Sequence, residues 1–137
     1  MKAWRWKYER HPWGTHRTSL AFSPRGELAA QYAGRGVVGF GLSNDERRGR
    51  TEEFGPAFRI ATRAGLLSAP HGGELAGSDS VRLALDCLGA QRVGHGVRSA
   101  EDPALLDRLA AAGVTLEVCP ISNVRLGVYD RLGDVPL

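Results

Sequence analysis

Residues 66–74 read Leu66-Leu67-Ser68-Ala69-Pro70-His71-Gly72-Gly73-Glu74, an apolar run that leads directly into a polar turn. The short apolar run is typical of a buried strand. The two glycines let the backbone turn sharply, which leaves the side chains of His71 and Glu74 free to project into one pocket. The stretch therefore predicts a strand that carries reactive groups at its carboxyl end.

Three further apolar runs predict strands at 37–40, 91–94 and 114–118, and a helical pattern separates each strand from the next. The helices are predicted to begin near Thr51, at the cap Ser78 and at the cap Asp102. In the last helix, the residues expected to face inward are Leu105, Leu106 and Leu109. Because the strands are expected to be apolar on both faces, this alternation indicates a parallel sheet covered by helices.

Polar residues follow the carboxyl end of every predicted strand, at 42–46, 71–74, 95–96 and 120–123. Barrel enzymes assemble their sites from several such strand ends on one face. The predicted fold class is therefore α/β, a partial (β/α)8 TIM barrel with about four consecutive βα units. Four strands cannot close a barrel, so we expect the chain to be incomplete, at roughly half the ~250 residues that are typical of the fold.

The basic residues are unevenly distributed in this chain of 137 residues and net charge +3. Residues 1–25 hold six basic side chains, one acidic side chain and all three tryptophans. We therefore predict an atypical basic segment at 1–24 and a barrel domain at 25–137. No apolar run approaches the ~20 residues needed to span a bilayer, and the first residues do not form a secretory signal. Two distant cysteines, Cys87 and Cys119, indicate free thiols and a cytoplasmic protein.

The chemistry-bearing residues are His71, Glu74 and His95. A neutral imidazole is a good zinc ligand, and a carboxyl group that is kept protonated can donate a proton to a ring nitrogen. A hydrogen-bonded surface turn at 71–74 and a structural histidine at His95 are the alternatives. Two histidines on neighbouring strands favour a shared pocket.

For three other features, a structural role is preferred over a functional one. Cys119 is expected to be a small buried residue at a strand end. Ser122 and Asn123 are expected to cap a turn, although they could orient a catalytic group. The mixed charges at 45–48 are expected to form a solvated loop that could also contact substrate.

Four blocks of the sequence, in this order, resemble the adenosine deaminase family. They lie at 39–46 (GFGLSNDE), 71–74 (HGGE), 92–96 (RVGHG) and 116–123 (LEVCPISN). The resemblance implies a (β/α)8 barrel that holds one zinc ion and hydrolyses the exocyclic amine of an adenine-type nucleoside or base, with release of ammonia. The implied partner is a small aminopurine substrate.

The resemblance also implies a role for each matching residue. His71 would be a zinc ligand, and Glu74 would protonate the purine ring nitrogen. His95 would orient and stabilise the attacking hydroxide. Asn44 would lie where the family's loop meets the base.

The sequence departs from the family pattern at several positions. Gly41 stands where the family usually has aspartate, Ser43-Asn44 replaces an Ala-Gly pair, and Gly72 replaces alanine. The altered loop suggests aminodeoxyfutalosine, a menaquinone precursor, as an alternative substrate. The family's His-x-His motif and Asp-Asp pair are absent from the 137 residues, so His71 would be the one family zinc ligand that the chain supplies.

Two hypotheses lie outside catalysis by this chain. The basic, tryptophan-bearing segment could bind nucleic acid or another partner, because arginine and aromatic side chains together can grip single strands. The open edges of a partial barrel could pair with another copy or with a separate chain.

Overall fold

Parallel strands alternate with helices throughout the part of the chain that the computed structural model describes, residues 23–43 and 45–137. The helices are α1 (Ser23–Gln31), α2 (Gly55–Arg63), α3 (Ser78–Leu88), α4 (Pro103–Ala111) and α5 (Pro120–Arg125). The strands are β1 (Gly39–Phe40), β2 (Leu67–Ser68), β3 (His71–Gly72), β4 (Arg92–His95) and β5 (Thr115–Glu117). Short 3₁₀ helices lie at Thr51–Phe54, Val97–Glu101 and Leu132–Asp134. The predictions for Asn44 and for a segment boundary after residue 24 depend on residues outside the described range, and both stay predictions.

All strand pairs are parallel, as the sequence predicted. β1 pairs with β2, and β3, β4 and β5 form a second ladder in that order. The two ladders are continuous across Pro70, because the His71 amide still donates to the Leu42 carbonyl (2.7 Å) and the Gly94 amide donates to the Pro70 carbonyl (2.9 Å). Residues 67–72 therefore act as one strand, and the chain contains the four predicted parallel strands of a partial barrel.

The core lies between the sheet and the helices that cover it. Its main cluster joins α3, β4 and α4 through Val81, Ala84, Ala90, Val93, Leu105 and Leu109. On α2, Ala57, Phe58 and Ala61 are buried, and the Phe58 ring meets Phe40 edge-on at 4.9 Å between centroids. These contacts fix the position of each strand relative to its neighbours. The strand ends that carry polar residues therefore lie at the same edge of the sheet.

Two of the predicted helix ends are confirmed and one is not. The Asp102 carboxylate caps α4 by accepting from the Leu105 amide (3.1 Å), and Gly89 ends α3 in the left-handed conformation at φ 60°. The prediction that Ser78 caps α3 is wrong. Ser78 is already helical, and Gly77 occupies the cap position without a side-chain bond.

Two predictions of burial are also wrong. Leu106 is 41% exposed, because a helix that buries Leu105 and Leu109 turns the residue between them about 100° away from the core. Val38 is 80% exposed, and β5 has exposed residues at both ends, so the strands are not apolar on both faces throughout. β1 and β5 lie at the edges of the described sheet, where one side of each strand has no neighbouring strand.

The neighbours Leu105 and Leu106 make a matched test of this packing. Leu105→Ala is expected to lower the free energy of unfolding by about 2–5 kcal/mol, because it leaves a cavity in the main cluster. Leu106→Ala is expected to change it by about 0.5 kcal/mol or less. Urea unfolding of both variants measures the difference, and equal effects would show that α4 is rotated from the position described.

None of the helices within residues 23–43 and 45–137 is long and apolar enough to cross a bilayer.

Candidate active site

The turn after β3 is built on a glycine that no other residue could replace without strain. Gly73 has φ 67°, and a Cβ atom at this position would lie 2.5 Å from Cγ2 of Val81. The positive φ reverses the chain immediately after β3, and the close contact lets α3 pack beneath the turn. As a result, the side chains of His71 and Glu74 belong to the same short turn at the carboxyl end of the sheet.

His95 ends β4 in a conformation that is rare for its residue type. It has φ 65°, and it is the one non-glycine residue with positive φ in the described part of the chain. The left-handed region costs a residue with a Cβ atom about 1–2 kcal/mol. Such strain is concentrated at functional sites, where the surrounding structure holds it in place. His95 lies opposite Gly72 in the β3–β4 register, directly beside the turn.

The structure brings His71, Glu74 and His95 together. The ligand atoms of the three side chains all lie within 4.8 Å of one another. Glu74 Oε1 is 3.3 Å from His95 Nε2, and the two imidazole rings are 5.0 Å apart at an interplanar angle of 72°. The side chains of His95 and Glu74 are only 10% and 12% exposed. The group is thus a largely buried set of two nitrogen ligands and one carboxyl that could hold a metal ion.

Gly94 makes the space that the His71 ring occupies. A Cβ atom at Gly94 would lie closest to Cδ2 of His71, 2.9 Å from Nε2 and 3.0 Å from Cγ, so it could be accommodated only if the ring moved. The imidazole therefore lies directly against the backbone of β4. In the β3–β4 register, His71 lies opposite Gly94. Gly94 on β4 therefore helps to position the side chain of His71 on β3.

Burial changes the pKa values of all three groups. It raises the pKa of Glu74, with a smaller upward contribution from the negative charge of Glu46. Burial lowers the pKa of His71, and His95 lowers it further by charge repulsion. Burial also lowers the pKa of His95, against the attraction of Glu46 and Glu117. These directions favour an acid that retains its proton next to two neutral imidazoles.

Ser122 follows the alternative given for it in the sequence analysis, contact with a catalytic group, and Glu46 contributes to the site in a way that the sequence did not predict. The Ser122 hydroxyl hydrogen-bonds the Glu74 carboxyl, which opposes the rise in its pKa. The prediction that Ser122 and Asn123 cap a turn is wrong, because Cys119 holds the cap position of α5 and no side chain caps it. The Asn123 side chain is fully buried, and its amide atoms have no hydrogen-bond partner among the described residues. The one feature of the sequence that could have indicated a role for Ser122 and Asn123 in the site was the position of residues 120–123 directly after a predicted strand.

Cys119 is also placed differently from the prediction. It is exposed rather than buried, and its thiol lies 3.4 Å from the Glu117 carbonyl oxygen. The edge position of β5 explains the difference, since no strand covers its outer side in the described part of the chain.

The lowered pKa of His71 predicts a pH-dependent stability for the metal-free chain. Because the folded state binds the proton less readily than the unfolded state, this contribution is complete above the ordinary histidine pKa of about 6.5 and is lost as the pH falls below it. We expect the stability advantage of wild type over His71→Gln to be smaller at about pH 5 than at about pH 7.5. Urea unfolding at both pH values measures it. A difference that does not change with pH would contradict the burial of a neutral His71.

The parallel strands, the helices between them and a site at the carboxyl ends of the strands define the class, a (β/α)8-barrel protein of which this chain forms consecutive units. The chain belongs to the adenosine deaminase family, whose model matches residues 16–137.

Individual relatives agree with this assignment. A Streptomyces coelicolor relative in the adenosine/adenine deaminase group is 68% identical over 110 residues, which cover 80% of this chain and 32% of that protein. The crystal structure of adenine deaminase from Arthrobacter aurescens superposes with a TM-score of 0.75 at 34% identity, over 87% of this chain and 36% of that one. An amidohydrolase from Burkholderia ambifaria with bound zinc gives 0.70 at 26% identity, over 80% and 30%. The chain spans about a third of the length of the relatives it matches.

Proposed function

We propose that this chain forms the acid-bearing part of the active site of a hydrolase that removes the exocyclic amine of an adenine-type base and releases ammonia. The observation that carries the proposal is the convergence of His71, Glu74 and His95 within 4.8 Å at the ends of neighbouring strands. Membership of the adenosine deaminase family supports it.

The directions of the pKa shifts support a separate role for Glu74 and for His95. Glu74, whose pKa is raised by burial, donates a proton to the purine ring nitrogen, and this makes the amine-bearing carbon more electrophilic. His95 stays neutral, so it orients the attacking water and accepts its proton. Water adds to the carbon, the proton held by His95 passes to the amine, the C–N bond breaks and ammonia leaves. The hydroxyl group left on the carbon returns its proton to Glu74 and becomes the carbonyl group. The 3.3 Å separation of the two side chains keeps the donor and the acceptor at one reacting centre.

His71 fits a zinc ion as one ligand. Its imidazole is half-buried, its pKa is lowered so that the neutral form dominates, and the Gly94 backbone holds its ring in one orientation. Zinc, when bound, supplies Lewis-acid activation of water near neutral pH. Since a zinc site takes three or four protein ligands, His71 holds only part of the ion's coordination shell.

Adenine is the substrate that the relatives favour, because the Arthrobacter structure is an adenine deaminase. Adenosine stays in the test, and so does aminodeoxyfutalosine, which none of the three relatives supports. Asn44 is proposed to contact the base, because it belongs to the sequence block 39–46 that resembles the family's substrate loop.

A chimera tests the function. The segment of the Streptomyces coelicolor relative that matches this chain is replaced by this chain's own 110 matching residues. The parent protein, assayed first, gives the reference rate of ammonia release from adenine, adenosine and aminodeoxyfutalosine. The chimera is expected to release ammonia from adenine at a rate within about tenfold of an active parent. A folded, zinc-loaded chimera that is inactive on every substrate the parent accepts would contradict the proposal.

Three expectations from the sequence remain predictions alongside this function. They are a cytoplasmic location, pairing through the sheet edges at β1 and β5, and a binding role for the basic segment at 1–24. Sedimentation of the chain tests the second. The third requires salt-sensitive binding to single-stranded DNA.

A further inference from the structure

Glu46 is directed into the molecule, although it belongs to the charged stretch that the sequence predicted to be a solvated loop. Its neighbour Asp45 does lie at the surface, in ion pairs with Arg47 (2.8 Å) and Arg48 (3.5 Å). Glu46 instead extends across to the next βα loop. It accepts hydrogen bonds from the backbone amides of Gly73 (2.8 Å), Leu75 and Ala76 (2.7 Å).

These amides belong to the turn that carries Glu74. A turn between a strand and a helix leaves its amides without partners from regular secondary structure, and several amides that converge on one carboxylate form an anion-binding nest. The positive φ of Gly73 allows that convergence. Although burial alone would raise the pKa of Glu46, these hydrogen bonds and one from Ser80 lower it overall, so its carboxylate remains charged.

The opposite side of the turn is held by separate contacts. The Arg98 amide donates to the Gly73 carbonyl (3.0 Å), and the Arg98 guanidinium donates to the Leu75 carbonyl (3.2 Å). The Ser80 hydroxyl accepts from the Gly73 amide (2.6 Å). Gly73 and Leu75, the two neighbours of Glu74, are therefore each hydrogen-bonded through both the amide and the carbonyl group. Among these contacts, the one with Glu46 comes from the loop after β1.

We propose that Glu46 is a positioning residue, whose carboxylate fixes the turn 73–76 so that the Glu74 carboxyl faces His95. The catalytic meaning of this role rests on the proposed function, whereas the clamp itself does not. The alternative is a purely structural role, in which Glu46 stabilises the whole domain without fixing the direction of the Glu74 side chain. The positioning role and the structural role predict different effects of Glu46→Gln on the turn 73–76 and on the contact between Glu74 and His95.

Amide hydrogen exchange of the 137-residue chain, followed by NMR, tests the clamp. In Glu46→Gln and Glu46→Ala, the amides of Gly73, Leu75 and Ala76 are expected to exchange about 10–100-fold faster, which corresponds to losing a bond to a charged acceptor. The α4 amides are expected to keep their wild-type rates. Glu52→Gln is the matched control, since Glu52 is an exposed acid that pairs with Arg50 on the outside of the domain.

The direction of Glu74 has its own spectroscopic signature. A nuclear Overhauser contact between the Glu74 side chain and the His95 ring follows from their 3.3 Å approach. We expect this contact in wild type and in Glu52→Gln, and its loss in Glu46→Gln. Unchanged exchange at residues 73, 75 and 76 overturns the clamp. Equal acceleration in α4, or a contact that persists in Glu46→Gln, overturns the positioning role and leaves a structural one.

The chimera separates this inference from the proposed function. If the chimera is active, Glu46→Gln is expected to lower kcat for adenine about tenfold or more, with a change in KM of less than about threefold. An unchanged kcat overturns the positioning role while the function stands. If the chimera is inactive, the proposed function fails, and the exchange measurements on the chain still decide whether Glu46 holds the turn.

Discussion

Replacing Glu74 with glutamine in the chimera is expected to lower kcat for adenine by about 10²–10⁴-fold, the usual contribution of a general acid. Glutamine has the same shape as glutamate and can still hydrogen-bond a ring nitrogen, but it has no carboxyl proton to transfer. Burial raises the pKa of Glu74, which is the direction that this step requires.

Two further measurements make the Glu74 prediction specific. Zinc content and KM are expected to change little, because Glu74 is assigned to proton transfer rather than to metal binding. Asp86→Asn is the control, since Asp86 is an exposed acid on α3 that pairs with Arg108. If Glu74→Gln retains more than about a tenth of the parental kcat, Glu74 is not the acid.

Gly94→Ala is expected to weaken zinc binding by the chimera on the order of 10–100-fold, the loss that follows when a residue that orients a metal ligand is changed. The new methyl group would lie about 3 Å from two atoms of the His71 ring, so the ring must leave its place against β4. A displaced imidazole no longer directs its nitrogen at the other members of the site.

A glycine elsewhere in the chain provides the control for this substitution. At Gly133, a methyl group would meet no described atom within 4 Å, and the residue has no positive φ, so Gly133→Ala is expected to leave zinc affinity unchanged. Competition with a chromophoric chelator measures the affinity of both variants. Parental affinity in Gly94→Ala would mean that His71 does not bind the metal.

Much of the fold, and the proximity of the three candidate site residues, could be predicted from the sequence. Short apolar runs that end in polar residues specify parallel strands and the edge at which their side chains meet, and this pattern placed His71, Glu74 and His95 together. The same pattern could not show how each helix is rotated. Leu105 and Leu106 are equally apolar, and only the packed structure shows which of them α4 turns towards the core.

The contacts that shape the site were harder to predict, because they involve the backbone and residues that are distant in the sequence. Glu46 binds backbone amides 27 to 30 residues away, and an amide has the same chemistry whatever its side chain. The space at Gly94 is likewise defined by the ring of a residue on another strand. Such contacts depend on strand register and on turn geometry, so the sequence showed a charged loop and a glycine without showing their function.

In the proposed site, His71 binds the metal while Glu74, three residues later, supplies the proton. A crystal structure of the zinc-loaded chimera, with anomalous scattering recorded at the zinc edge, tests it most directly. We expect a zinc peak about 2.0–2.1 Å from an imidazole nitrogen of His71, with the Glu74 carboxyl outside bonding distance and facing the substrate pocket. A zinc ion bound by Glu74, or one bound away from His71, would contradict it.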